Sequence, residues 1–190
     1  MRLAATPRAQ RLSRSAVSCI FYAALLGLAI AWGALRGHAD VFVLAGRTPH
    51  PLLGAAFGLV IGLAAAFVTR LLTHTSEWAR RLHHELHSLV HGIGSREIFL
   101  LALSSAVAEE AFFRGVLQSV IGVWGQAVLF AAVHFRPNRR FYAWTAMSLV
   151  VGVAFGLIAQ YTGDLSAPIV AHFTINFVNL GYISRTEMRA

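Results

Sequence analysis

Ile98-Phe99-Leu100-Leu101-Ala102-Leu103-Ser104-Ser105-Ala106-Val107-Ala108-Glu109-Glu110-Ala111-Phe112-Phe113-Arg114 is the stretch on which the reading of this chain turns. Its first eleven residues are apolar enough for a membrane helix, and then three ionisable groups interrupt a run that otherwise continues to Val120. Treated as a loop, it leaves five charge-free spans: Ser15 to Leu35, Thr48 to Thr69, Gly115 to Phe135, Phe141 to Gly163 and Leu165 to Ser184. Each of these has the ~20 residues that cross a bilayer core as a helix. Treated as a span, third in order with a turn near Gly122 to Gly125, it makes the arginines alternate between two sides. With the N-terminus inside, thirteen arginines fall in cytoplasmic segments: Arg2, Arg8, Arg11, Arg14; Arg70, Arg80, Arg81, Arg96; Arg136, Arg139, Arg140; Arg185, Arg189. Arg36 and Arg47 fall on the other side and Arg114 alone at membrane depth, which is the asymmetry expected of a six-span protein with both termini cytoplasmic.

Composition agrees. The 190 residues are 57% hydrophobic and 13% charged, against roughly 25% charged in soluble domains. The net charge of +8 is carried by arginine with no lysine, and cytoplasmic loops account for most of the surplus, so nucleic acid is a poor partner. Cys19 is the single cysteine, which excludes an intrachain disulfide or a cysteine metal cluster. The first span is too long for a signal peptide, although Gly37-His38-Ala39 loosely resembles a cleavage site. The expected fold is therefore all-α: a polytopic bundle of about six transmembrane helices with one amphipathic surface helix at Thr73 to Ser95. On that helix Trp78, Leu82, Leu86, Leu89 and Val90 are available to face lipid. Residues 1–95 read as a two-span region with that helix and 96–184 as a membrane core, in one structural unit. Asp164 in Tyr161-Thr162-Gly163-Asp164 marks the outer turn between the last two spans.

The histidines of the surface helix invite a zinc reading, since His83, His87 and His91 share a face with His84 beside them. A zinc-protease helix needs Glu directly after the first His and a second His three positions beyond that Glu; after His84-Glu85 that position is Ser88. Structural or headgroup contact fits better. At membrane depth the charges are harder to dismiss, because each costs ~2.5 to 3.5 kcal/mol to insert. Glu110 and Arg114 have the favourable four-residue spacing for an ion pair. Glu109 lies ~100° around the helix, faces another neighbour and is expected to be the unpaired acid. Phe130 and His134 share a face of a later span, as do His172 and Asn176. Each pair alone reads as interhelical hydrogen bonding. A carboxylate, two imidazoles and an amide together supply a base, a proton carrier and oxyanion donors, the inventory for peptide hydrolysis by activated water.

Through Glu-Glu-x-x-x-Arg, Phe-x-x-x-His and His-x-x-x-Asn in that order, the chain resembles the CAAX-protease and bacteriocin-processing family of intramembrane endopeptidases. The likeness covers roughly Glu97 to Tyr182, including Ala167-Pro168-Ile169-Val170-Ala171-His172. It implies a glutamate-type protease without cofactor: Glu109 and His134 activate water, His172 and Asn176 stabilise the oxyanion, and Glu110, Arg114 and Phe130 support them. Zinc held by the carboxylate and histidines is the alternative. The implied substrate is a membrane-embedded or lipid-anchored protein or peptide, in contact with membrane lipids; a short, Ala-rich, Arg-only chain points to a bacterial plasma membrane. The competing readings are a proton-coupled transporter, for which no inverted repeat is visible, and a non-enzymatic immunity or assembly factor. Serine, aspartyl and thiol chemistry lack a nucleophile elbow, an intramembrane aspartate and an activated cysteine. One expectation conflicts with the rest. His134 is two residues from Arg136, hence ~3 Å from the cytoplasmic end of a simple crossing, whereas Glu109 and His172 lie ~18 to 20 Å deep. Either an aqueous vestibule reaches inward to Arg136, or the fourth span is short and tilted.

Overall fold

The computed structural model describes residues 7–38 and 40–188, with side chains from residue 16 onward. Arg2, Ala39, Arg189 and the side chains of Arg8, Arg11 and Arg14 lie outside the described residues. The described chain is helical: α1 (Pro7–Leu35), α2 (Pro51–Thr75), α3 (Glu77–Val90), α4 (Ser95–Glu110), a π-helical segment (Ala111–Leu117), α5 (Gln118–Val133), a 3-10 turn (Arg139–Phe141), α6 (Tyr142–Thr162) and α7 (Ser166–Arg185).

Four segments are long and apolar enough to cross a membrane: Ala16–Leu35, Pro51–Thr75, Ser95–Val133 and Arg139–Thr162. Six were expected, and the difference has two physical sources. Ser95–Val133 is 39 residues long, ~58 Å if straight, yet the rings of Phe113 and Phe130 meet at 5.1 Å. The chain therefore folds back on itself, and it does so at Gly122, whose φ of 72° breaks the helix inside the expected turn. α7 is the other source, since Thr174, Asn176 and Asn179 join His172 along it and dilute its apolar character.

Partition of side chains is inverted relative to a water-soluble protein. Leu52, Trp124 and Val150 are 87%, 73% and 68% exposed, while Glu110, Gln126 and Arg114 are 0%, 0% and 1% exposed. Where lipid covers the outside there is no hydrophobic gain in burying leucine, so helices associate through close packing and polar contacts. α2 shows the first device: Gly54, Gly58, Gly62 and Ala66, spaced by four, face α7, and a Cβ on Gly58 would strike the Ala167 backbone. α5 and α6 show the second, with Gln126 Nε2 donating to Gly152 O at 2.8 Å and Gln118 Nε2 to Gly156 O at 3.0 Å.

The connections gather at two ends. At one, the 36–50 loop meets the α6–α7 turn: Leu44 N donates to Gly163 O, Leu165 N to Phe42 O, and Asp164 accepts from His50 N and Ser166 N at 2.8 Å each. The turn at Gly163 (φ 77°) and buried Asp164 is thus the one expected. At the other end α3 packs on the last turn of α7, Arg185 reaches Ser95, and Arg140 pairs with Glu85 of α3. On α3, Trp78, Leu82, Leu86, Leu89 and Val90 all line one cavity, where Leu82 is buried while Trp78 and Leu89 stay 43% and 49% exposed. The apolar face of the helix thus both covers the gap beside α2, α6 and α7 and keeps side chains available to lipid.

Candidate active site

Glu109 and Glu110 end α4, and the wider π turn begins at the next residue. Such segments concentrate at functional sites because they rotate the following side chains out of α register. Here Arg114 and Gln118 both reach carbonyls of α6. The expected ion pair exists: Arg114 Nη1 lies 3.0 Å from each Glu110 oxygen, with both side chains fully buried. Arg114 also stacks over Phe130, 4.4 Å from the ring centroid, which gives that phenylalanine its place in the site.

Glu110 has a second partner that the spacing did not reveal. His172 Nδ1 lies 2.7 Å from Glu110 Oε1. The carboxylate accepts, so the ring must carry hydrogen on Nδ1, and its Nε2 is left for the cavity that His172 lines. His134 is fixed by the same logic. Its Nδ1 donates to Phe130 O at 2.7 Å, one turn back, so in the neutral ring Nε2 holds the lone pair.

Glu109 faces away from Glu110, toward α1 and α5, as its angular position required. It is not unpaired. The Tyr22 hydroxyl of α1 donates to its carboxylate. Its Oε2 is buried without a hydrogen bond and stands 3.9 Å from His134 Nε2. Asn176 Nδ2 donates to Ser105 Oγ at 3.0 Å, and Ser105 spends its own proton on Ala102 O. Ser105 must therefore accept, which orients the amide with its NH2 toward α4 and one N–H to spare.

All seven side chains singled out in the sequence thus converge, Glu109, Glu110, Arg114, Phe130, His134, His172 and Asn176, from α4, the π turn, α5 and α7. The depth conflict resolves as a short arm. Glu109 to Phe113 precede Gly122 by nine to thirteen residues, and Phe130 and His134 follow it by eight and twelve, so both arms reach one level. His134, His172 and Asn176 line a cavity of about 370 Å3 that extends to α3. Glu109 stands behind His134 rather than on the cavity wall. Tyr22, Ser105 and Trp144, whose ring meets His134 edge-on at 5.7 Å, were missed. Ser105, one turn before Glu109 in an apolar run, carried a readable signal; a lone tyrosine in the first span carried none.

Among the described residues, no group of three or more His, Cys, Asp or Glu side chains is disposed to hold a metal ion. The α3 histidines are stacked instead, with rings of His83 and His87 at 6.4 Å and 9°. His83 Nε2 binds Thr186 O and His87 Nδ1 binds Ile183 O; carbonyls only accept, so those nitrogens carry hydrogen and offer no lone pair.

An uncharacterized protein of Bacillus subtilis (strain 168), YpbD, is 43% identical over 83 residues, which is 43% of this chain and 42% of that protein. The match therefore spans less than half of that relative. No solved structure matches the chain. Residues 95–178 match the family model described as type II CAAX prenyl endopeptidase Rce1-like. That match takes in 84 of the 190 residues and all seven converging site residues, in a chain whose long apolar helices and inverted partition of side chains suit an integral membrane protein.

Proposed function

We propose that the chain is an intramembrane endopeptidase of the glutamate type, hydrolysing a peptide bond in a membrane-embedded or lipid-anchored protein or peptide without a metal cofactor. One observation carries this: the unbonded Glu109 Oε2 lies 3.9 Å from His134 Nε2. A water making ~2.8 Å hydrogen bonds to both atoms sees them about 90° apart, close to the angle between its two O–H bonds. Carboxylate and imidazole lone pair then accept both protons of one water, the arrangement that exposes its oxygen lone pair to a carbonyl.

As that oxygen attacks, a proton passes to the Glu109–His134 pair and the carbonyl oxygen becomes negative. His172 Nε2–H and the spare N–H of Asn176 supply the donors for it. For His172 to donate there while holding Glu110 through Nδ1, it must be imidazolium. Glu109, Glu110, Arg114 and His172 then sum to zero charge, which suits four side chains no more than 11% exposed. Collapse returns the proton to the departing amine. Glu110, taken by Arg114 and His172, works as the anchor of the oxyanion donor.

In the membrane we read six crossings: α1, α2, the two arms of the hairpin, α6 and α7. What supports this is the grouping of Arg80, Arg81, Arg136, Arg139, Arg140 and Arg185 with the α3 end, opposite Arg36 and Arg47. That end is cytoplasmic on this reading, in a bacterial plasma membrane. Reporter fusions after Gly46 and Gly163 should read outside and those after Trp78 and Asn138 inside; an inside signal at Gly163 defeats the count.

The test of chemistry is the purified protein in lipid nanodiscs with membrane-peptide substrates. New termini should appear, incorporate one 18O from labelled water, persist with a membrane-permeant chelator and vanish in Glu109→Gln. Activity lost to the chelator and restored by zinc would replace this mechanism with a metal-assisted one.

A further inference from the structure

At the end of the bundle opposite α3, a hollow of about 240 Å3 is bounded by the 36–50 loop, the π turn, the start of α5 and α6. Its wall is polar: Asp40, Arg47, Arg114, Gln118, Ser119 and Gln160 all line it. Gly115 lets the loop close down there, since a Cβ on it would strike the Val41 carbonyl oxygen. Two of these side chains belong to the buried core. Arg114 is 1% and Gln118 6% exposed, and each keeps one buried atom without a hydrogen bond, Arg114 Nε and Gln118 Oε1. Their other nitrogens are committed: Arg114 Nη1 to Glu110, Arg114 Nη2 to Gly152 O and Gln118 Nε2 to Gly156 O.

A buried polar atom without a partner is costly, and lipid tails offer nothing to complete it. The two atoms define what would, because Nε–H donates and the amide oxygen accepts. An anion would satisfy the first and be repelled by the second; a cation would meet the guanidinium itself. Water serves both. The hollow has room for several, since a water takes ~30 Å3 in the liquid and needs about two to four polar partners. Charge gives a further reason for water here. Arg114 is packed among the rings of Phe113, Phe130 and Phe155, and its Glu110 is shared with His172. Water at Nε solvates the guanidinium on the side that Glu110 does not reach.

We propose that this hollow is a water-filled inlet, open at the outer face, that carries water to Arg114 from behind the Glu110–His172 pair. Asp40, Arg47 and Ser119 form its exposed rim, and Arg114 and Gln118 its buried floor. The 370 Å3 cavity under α3 lies toward the opposite end, so the buried charges are hydrated by a path separate from it. The side on which the inlet opens rests on the six-crossing reading. Its content does not rest on the protease reading.

The test is cysteine accessibility of the full-length protein in membrane vesicles of either sidedness, with Cys19→Ala removing the native thiol. Ser119→Cys probes the rim and Gln118→Cys the floor; Gln160→Cys, on the half-buried α6 wall, takes the place of Gln118→Cys if that variant does not fold. Val128→Cys, at a position 57% exposed on α5, is the lipid-facing control. A membrane-impermeant methanethiosulfonate reacts with thiolate, which forms in water and is suppressed in apolar surroundings, so from the outer face it should label rim and floor ~10-fold or more faster than the control. Labelling of the rim alone overturns the proposal, as does labelling from the cytoplasmic face alone. A floor reached only by a lipid-permeant maleimide means that acyl chains fill the hollow, and overturns it as well. None of these readouts needs turnover: a chain that labels as expected and cleaves nothing defeats the protease reading and leaves the inlet standing.

Discussion

Two regions of the molecule are rich in titratable side chains and differ in how those side chains end. On α3, His83, His87 and His91 follow one another along one helix face, and the nitrogens that make contacts are consumed by backbone carbonyls of α7's end. At the hairpin, groups arrive from α4, the π turn, α5 and α7, and several atoms are left over: Glu109 Oε2, His134 Nε2, His172 Nε2 and one N–H of Asn176. Density of histidine marked the first region and ordered motifs the second. Chemistry needs convergent groups with free valences, and only the second region has both.

The comparison breaks first at Glu109. Glu109→Gln or His134→Gln should each lower kcat by ~10² to 10⁴, and the double variant little beyond the worse single one, since both serve one water. Turnover measured on a single membrane peptide checks it, and wild-type rates in Glu109→Gln would remove the base from the account.

Arg114 should matter through the fold. Removing it strands Glu110 at 0% exposure, at a cost of about 3 to 5 kcal/mol, so folded yield and thermal stability should fall along with activity. A normally folded, active Arg114→Ala would mean that Glu110 is neutral in the native state.

Asn176 and Ser105 sharpen the oxyanion assignment. Asn176→Ala should cost ~10² to 10³ in rate with substrate binding intact, whereas Ser105→Ala, which only loosens the amide, should cost about tenfold. Equal losses would make Asn176 a structural link between α4 and α7.

The smallest effect belongs to α3. Burial pushes the His83 imidazole below its ordinary pKa despite the bond to Thr186 O. A histidine depressed in the folded state stabilises docking above the unfolded pKa of about 6.5 and ceases to do so as pH falls through the folded value. Acidification from pH 7 should therefore loosen α3, read as hydrogen exchange at residues 79–90, and replacing His83, His84, His87 and His91 by Gln should flatten that dependence. Hydrolysis of a short peptide should survive the replacement within a few-fold; its loss with folding intact would return metal to consideration.

Apolar run length, arginine asymmetry and motif spacing are local or cumulative properties, so the helices, the turn at Gly122 and the Glu110–Arg114 pair could be read from the chain alone. A four-residue spacing carries its own geometry, because helical rise and twist are the same everywhere. Contacts between segments are not encoded that way. That His172 also takes Glu110, that Tyr22 reaches Glu109, that α3 roofs a cavity and that His134 lies level with Glu109 depend on where separate helices meet, which close approach at Gly54, Gly58 and Gly62 and the fold-back at Gly122 decided. In a membrane, apolar surface alone does not select partners between helices, so register is chosen by small residues and polar contacts whose complement is far away in sequence.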